Sequence, residues 1–197
     1  TGMPPGPVYR IRLVCNEDAN AAVTGSLFRV GSNVSFYVND ASTEDDVYCT
    51  DAGTSVADGA SPASPNTSVQ YILDTYVLQP GDTIWVDTGY YPLAADIIAG
   101  PLDGGDADNP VRIAGSPNGA VFDRNAPDTT TSRVLVIKGD YVRVGDYLGP
   151  LQVTGGYFGI SMEGVGGEAR NCTIQGCGDR GVSLAGAENT IADCTVR

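Results

Sequence analysis

Residues 170–197 read RNCTIQGCGDRGVSLAGAENTIADCTVR, and the second half restates the first. Cys172-Thr173-Ile174 returns as Cys194-Thr195-Val196, and Gly159-Ile160-Ser161-Met162 returns as Gly181-Val182-Ser183-Leu184, each 22 residues later. Side chains of a strand alternate between its two faces, so Cys172 and Ile174 point one way and Asn171, Thr173 and Gln175 the other. A repeat of roughly 20–25 residues made of strand-like pieces signals a solenoid. In a parallel solenoid each residue lies beside its counterpart one coil on, at the strand spacing of ~4.8 Å. The period therefore predicts Cys172 on Cys194, Ile174 on Val196 and Ile160 on Val182. It also predicts Gly159 on Gly181 at a corner where the chain turns. In-register neighbours stand farther apart than the ~3.8 Å between the Cβ atoms of a disulfide. Cys172 and Cys194 are thus expected as buried thiols, with Cys177, in the turn GCGDR, the most exposed.

Upstream of this stretch the chain reads strand, turn, strand. DTIWVDTG, PVRIAG, RVLVIKG, YVRVGD, LQVTGG and GISMEG are short runs rich in β-branched residues, most ending at glycine. One helix precedes them, expected over about 66–78. Pro65-Asn66-Thr67 opens it with capping side chains, Val69, Ile72, Leu73 and Tyr76 form one apolar face, and QPGD ends it. A lone amphipathic helix beside a stack of strands is expected to lie over the open end of that stack.

Before the helix, residues 39–65 form a polar loop of Asp, Ser, Gly and Pro, long enough to need a source of order. Residues 1–35 read as a strand-rich N-terminal extension, with VYRIRLVC alternating like a strand. The division expected is 1–35 for the extension and 36–197 for the solenoid.

The stretch FYVNDASTEDDVYCTDAGTSVADGASPASPNTSVQYILDTYVLQPGDTIWVDTGYY resembles the opening segment of right-handed parallel β-helix proteins of the pectin-lyase-like superfamily. There a strand is followed by a DG-SPA-P loop, a capping helix and then GD-I-VD-G-Y. The resemblance spans about residues 36–197 and implies an all-β, right-handed parallel β-helix. Large secreted bacterial surface proteins and polysaccharide-cleaving enzymes share this segment, so it implies an extracellular or cell-surface location without choosing between those activities.

Composition narrows the partners. The chain carries 24 acidic and 11 basic residues, no histidine and a net charge of −13. That disfavours nucleic acid, which asks for a basic footprint, and anionic membrane surfaces. There is no apolar run of ~18 residues to span a bilayer. Without histidine there is no Ser-His-Asp or Cys-His arrangement, and the bases available are Lys138 and the arginines, of which Arg143, Arg170 and Arg180 fall where they would line an outer face. No pair of carboxylates recommends itself for glycoside hydrolysis, so no catalytic residue is assigned. Asp82 and Asp87 fall on opposite faces of TIWV by alternation.

Two acidic loops are candidate calcium sites, since clustered oxygens suit a hard cation: Asp45, Asp51 and Asp58 in the long loop, and Asp103, Asp106 and Asp108 in LDGGDADNP. Calcium would also order the long loop. Asn33, Asn66 and Asn171 begin Asn-x-Ser/Thr triplets and are glycan candidates.

The functional expectation is an extracellular structural or adhesive β-helix module. Its expected partners are further coils of a parent chain or copies of itself, joined into a filament by strand addition at the edge of ADCTVR, and carbohydrate. The alternative is part of a polysaccharide lyase or glycoside hydrolase.

Overall fold

The computed structural model describes residues 33–147 and 149–197, together with the backbone of four short strands before them. Those four are β1 (Gly6–Tyr9), β2 (Arg12–Val14), β3 (Ala22–Thr24) and β4 (Phe28–Val30), with β1 antiparallel to β4 and β2 to β3. The run VYRIRLVC thus supplies two strands, and Cys15 lies outside the described residues.

From β5 (Ser35–Val38) onward the chain winds as a three-sided parallel coil. One sheet has the order β5, β6 (Thr83–Val86), β9 (Val111–Ala114), β12 (Val142–Val144), β15 (Glu168–Arg170), β18 (Thr190–Ala192). A second runs β7 (Gly89–Pro92), β10 (Ala120–Asp123), β13 (Leu151–Thr154), β16 (Cys172–Gln175), β19 (Thr195–Val196). The third runs β8 (Ile97–Ala99), β11 (Arg133–Ile137), β14 (Phe158–Met162), β17 (Arg180–Leu184). From β6 on each strand pairs with the one three places further along, which is the signature of a solenoid.

The core is a set of ladders along the axis. Phe36, Ile84, Ile113, Val144 and Ala169 stack in register, all fully buried. Tyr91, Phe122, Val153 and Ile174 form a second ladder, and Ile97, Leu135 and Ile160 a third. The predicted stacks of Ile174 on Val196 and Ile160 on Val182 are present. The 22-residue period belongs to the last coils alone. From Phe36 through Ile84, Ile113, Val144, Ala169 and Ile191 the coil steps are 48, 29, 31, 25 and 22 residues. The strands keep their length while the corner loops vary, so the repeat blurs upstream.

The glycine pair corrects the sequence expectation. Gly159 and Gly181 do stack, but inside β14 and β17 rather than at a corner. Their reason is space: a Cβ on Gly159 would meet Ile174 Cγ2 at 2.6 Å, so the neighbouring sheet leaves no room for a side chain. A different corner, between the first and second sheets, is made by Gly145, Asn171 and Asp193, with φ of 76°, 50° and 55°. Asn and Asp tolerate this left-handed conformation better than other side chains, which lets one residue turn β15 into β16.

The helix α1 (Val69–Thr75) is shorter than the expected 66–78. Ser68 is its N-cap, with its hydroxyl accepting from the amide of Tyr71 at 3.2 Å. Asn66 is held outside it, bridged to Val38 and Thr54. Tyr76 leaves the helix in extended conformation, stacking on Phe36 at 4.5 Å and donating its hydroxyl to Asp58 O at 2.9 Å. The expected lid is nevertheless formed: Val69, Ile72, Leu73 and Tyr76 are buried in the core at the first coil.

Candidate functional site

Asp82 and Asp87, at the two ends of β6, are wholly buried and serve the backbone. Asp87 accepts the amides of Val47, Tyr48 and Cys49 at 2.8, 2.7 and 2.6 Å, and that of Thr88 at 2.8 Å. Asp82 accepts those of Val34 and Gln79. Asn39 adds three bonds from its amide nitrogen, to Ser42 O, Asp46 Oδ2 and Asp51 O. These groups hydrogen-bond the long loop to the ends of β5 and β6.

The calcium candidates are dispersed. Asp58 accepts from Ala60 and Ser64, Asp106 from Asp108 and Asn109, and buried Asp103 from Leu78 and Gly100. Asp45 and Asp51 are exposed and bond through their carbonyls. Among the described residues no three acidic or sulfur ligands gather as a cation site. Burial raises Asp46 above the usual carboxylate range, the Asn39 bond works against that shift, and the nearby Asp87 and Asp40 charges add to it.

The four described cysteines are free thiols. Cys172 is buried and Cys194 half-buried, with the Cys172 amide 3.4 Å from Cys194 Sγ. Cys177 is half-buried, like Cys194, and both pack against the core. Of the glycan candidates, Asn66 is buried with its amide bonded to Ala57 O at 2.6 Å. Asn171 is half-buried and donates its side-chain amide to Asp146 O, while Asn33 is exposed.

What the fold does assemble is a surface on the sheet of β8, β11, β14 and β17. Arg133, Phe158 and Arg180, the first residues of three successive strands, stand in direct register. The two guanidinium carbons lie 5.9 and 5.7 Å from the centre of the Phe158 ring, one from each neighbouring coil. A ring face carries partial negative charge, so each cation is attracted to it. Arg133 also pairs with Glu163 at 3.2 Å and Arg180 with Asp179 at 3.3 Å. Beside this stack lies a shallow hollow of about 190 Å³, with Ser161 and Ser183 in register on its floor. Among the described residues lining it, Glu163 alone carries a carboxylate.

The surface continues toward the helix. Asp96 accepts the amide of Arg133 at 3.0 Å and belongs to a larger cleft of about 710 Å³, which Gln70, Tyr90, Leu93 and Phe122 also line. Tyr90 stands half out of the surface and donates to Asp123 at 2.6 Å, a bond that raises its phenol above the ordinary value. Aromatic surface, hydroxyls and arginine forks in a line suit a flat ligand bearing hydroxyls and carboxylates. Arg133 and Phe158 were missed in the sequence because their separation is 25 residues, whereas Phe158 and Arg180 are 22 apart.

The fold defines the class: a parallel β-helix, with a capping helix on its first coil. Among solved structures, the chain is similar to that of pectate lyase Pel9A, with TM-score 0.64 and 22% identity over 83% of this chain and 39% of that one. It is also similar to a rhamnogalacturonan lyase, with TM-score 0.53 and 14% identity over 83% of this chain and 51% of the other. The chain therefore spans about two fifths to half of the lengths of these proteins. No family model and no curated protein matches the sequence.

Proposed function

We propose that the chain is an extracellular β-helix module that binds an acidic polysaccharide along the β11–β14–β17 face, in a structural or adhesive role at a surface. The observation that carries the reading is the Arg133–Phe158–Arg180 stack, which holds two partly exposed guanidinium groups on one ring. The likeness to proteins named as pectate and rhamnogalacturonan lyases supports the choice of ligand class. It equally supports a second reading, in which the chain is part of a polysaccharide lyase.

The net charge of −13 repels a polyanion at long range. The Debye length of ~10 Å at 0.1 M salt screens that repulsion while leaving contacts at the arginines in place. The test is affinity electrophoresis at about 0.1 M salt in gels carrying polygalacturonate or neutral dextran. Retardation by polygalacturonate alone is expected, with Arg133→Gln and Arg180→Gln each weakening it about tenfold, the scale of one charge-assisted bond. Retardation unchanged in both variants would overturn the assignment. Incubation with polygalacturonate and calcium separates the two readings: a rise in ultraviolet absorbance from unsaturated product would make the chain a lyase.

A further inference from the structure

On the outer face of a different sheet, the residues Ser35, Thr83, Arg112, Arg143, Glu168 and Thr190 form one column in register. Val111, Ile113, Val142 and Val144 turn inward to the core, which fixes Arg112 and Arg143 side by side on the outside. Parallel neighbours lie ~4.8 Å apart, and like charges directly opposite one another repel.

The carboxylates nearby are committed elsewhere. Glu168 pairs with both Arg143 and Arg170, each at 2.5 Å. Arg170 also takes Asp193 at 2.7 Å and lies over the Tyr147 ring at 4.2 Å, and Glu168 raises its pKa above the ordinary value. Two arginines, Arg143 and Arg170, thus take up both carboxylates, Glu168 and Asp193. The shortfall falls on Arg112: its Nε is buried without a hydrogen-bond partner, whereas the Arg143 Nε, buried as well, faces the Glu168 carboxylate, and Arg112 belongs to none of the ion pairs among the described residues. On its other side stands Thr83, which is neutral and buried. In a chain of net charge −13, a half-buried arginine pair with one buried donor unpaired is an arrangement that an anion would complete.

We propose that Arg112 and Arg143 form an oxyanion site on the β9–β12 face, separate from the glycan face, where one carboxylate or sulfate group is clasped between the two guanidinium forks. The Glu168 end of the column does not compete for it. The hollow of about 150 Å³ there is lined by Arg143, Glu168 and Asp106 and does not reach Arg112, so its two carboxylates disfavour an anion in the hollow itself. The group could be a free ion or part of a glycan; the chemistry recognised is the same.

The experiment is thermal unfolding of the whole chain in low-millimolar sodium sulfate, or in sodium galacturonate, against sodium chloride of equal ionic strength. General salt effects are common to all variants, so the readout is the oxyanion-specific rise in Tm and its dependence on Arg112. A rise of about 2 °C or more is expected in the unmodified chain. It should persist in Arg133→Gln and Arg180→Gln, shrink in Arg112→Lys, which keeps the charge but loses the fork, and vanish in Arg112→Gln. A rise with sulfate alone assigns the site to sulfate, and one with galacturonate also assigns it to a carboxylate. No rise with either anion, or a rise that survives Arg112→Gln, would overturn the proposal. Because the glycan-face variants are read separately, its failure does not bear on binding of polysaccharide at Arg133 and Arg180.

Discussion

Asp87 accepts the backbone N–H of Cys49 at 2.6 Å across 38 residues of chain. With the amides of Val47 and Tyr48 on the same carboxylate, one buried side chain at the end of β6 holds the turn of a loop that has no strand partner of its own. Tyr48 is thereby placed against Trp85, ring centres 4.8 Å apart, and reaches Gly115 O with its hydroxyl.

Replacing Asp87 by Asn keeps the shape but turns one acceptor oxygen into a donor facing amide donors. The expected loss is about 2–4 kcal/mol, the range for a buried bond to a charged group plus an unsatisfied neighbour. Urea unfolding measures it, and limited proteolysis should cut within 41–57 first. A variant with unchanged stability and an uncut loop would show that other contacts order the segment.

The loop's dependence on Asp87 was not readable from the sequence, where Asp87 is one more aspartate in an acidic chain. What was readable is whatever obeys strand alternation in neighbouring coils: Ile174 on Val196, and Ile160 on Val182. The strands β7, β8, β10 and β15 are short, and GYYP and EAR lack β-branched residues, so they left no local signal. They exist because the coils before and after pair with them. The candidate binding face failed to show for a related reason. It is a column across coils whose spacings are unequal, so Arg133 and Phe158 become neighbours only once the loop lengths between them are known.

The helix lid is tested at Ile72. This side chain is wholly buried, and the helix packs on the first coil with Tyr76 against Phe36. Ile72→Ala should cost ~2–5 kcal/mol, the range for a large aliphatic removed from a core that cannot fully collapse. A loss under about 0.5 kcal/mol, typical of a surface substitution, would mean that α1 does not seal the core.

Alkaline pH should weaken the fold through its phenols. Burial first, then the Asp58 charge and Tyr71, push Tyr76 up to about 12. The ordinary value for an unfolded chain is ~10. Below pH ~10 both states keep the proton and the shift costs nothing. Above it the unfolded chain releases its proton while the folded one holds it, so stability falls as pH rises from about 10 to about 12. Buried Tyr91 is shifted in the same direction for the same leading reason. Tyr76→Phe should lose about 1 kcal/mol near neutrality with the bond to Asp58 O, yet fall less steeply in alkali. Equal slopes for the two proteins in urea midpoints across that range would clear Tyr76 as a source.

The glycine pair gives the sharpest test of how tightly the coils are wound. Gly159 sits in β14 beside Gly181 of β17. A Cβ built on Gly159 would stand 2.4 Å from Gly181 O, 2.6 Å from Ile174 Cγ2 and 3.1 Å from Cys177 Sγ. On Gly181 it would stand 2.4 Å from Val196 Cγ1. Neither residue is among those with left-handed φ, so backbone freedom is not what glycine supplies here. It supplies room for Ile174 of the neighbouring sheet. Gly159→Ala should therefore overpack the coil and cost ~1–3 kcal/mol, despite the lower chain entropy that alanine gives the unfolded state. Leucine lacks the branch methyl at Cγ2, so Ile174→Leu in the same chain should recover part of the loss. The two substitutions should then be non-additive in chemical unfolding, as expected for side chains in contact. Additive effects would place the strain at the Gly181 carbonyl instead, and a neutral Gly159→Ala would show that the sheets have room to move apart.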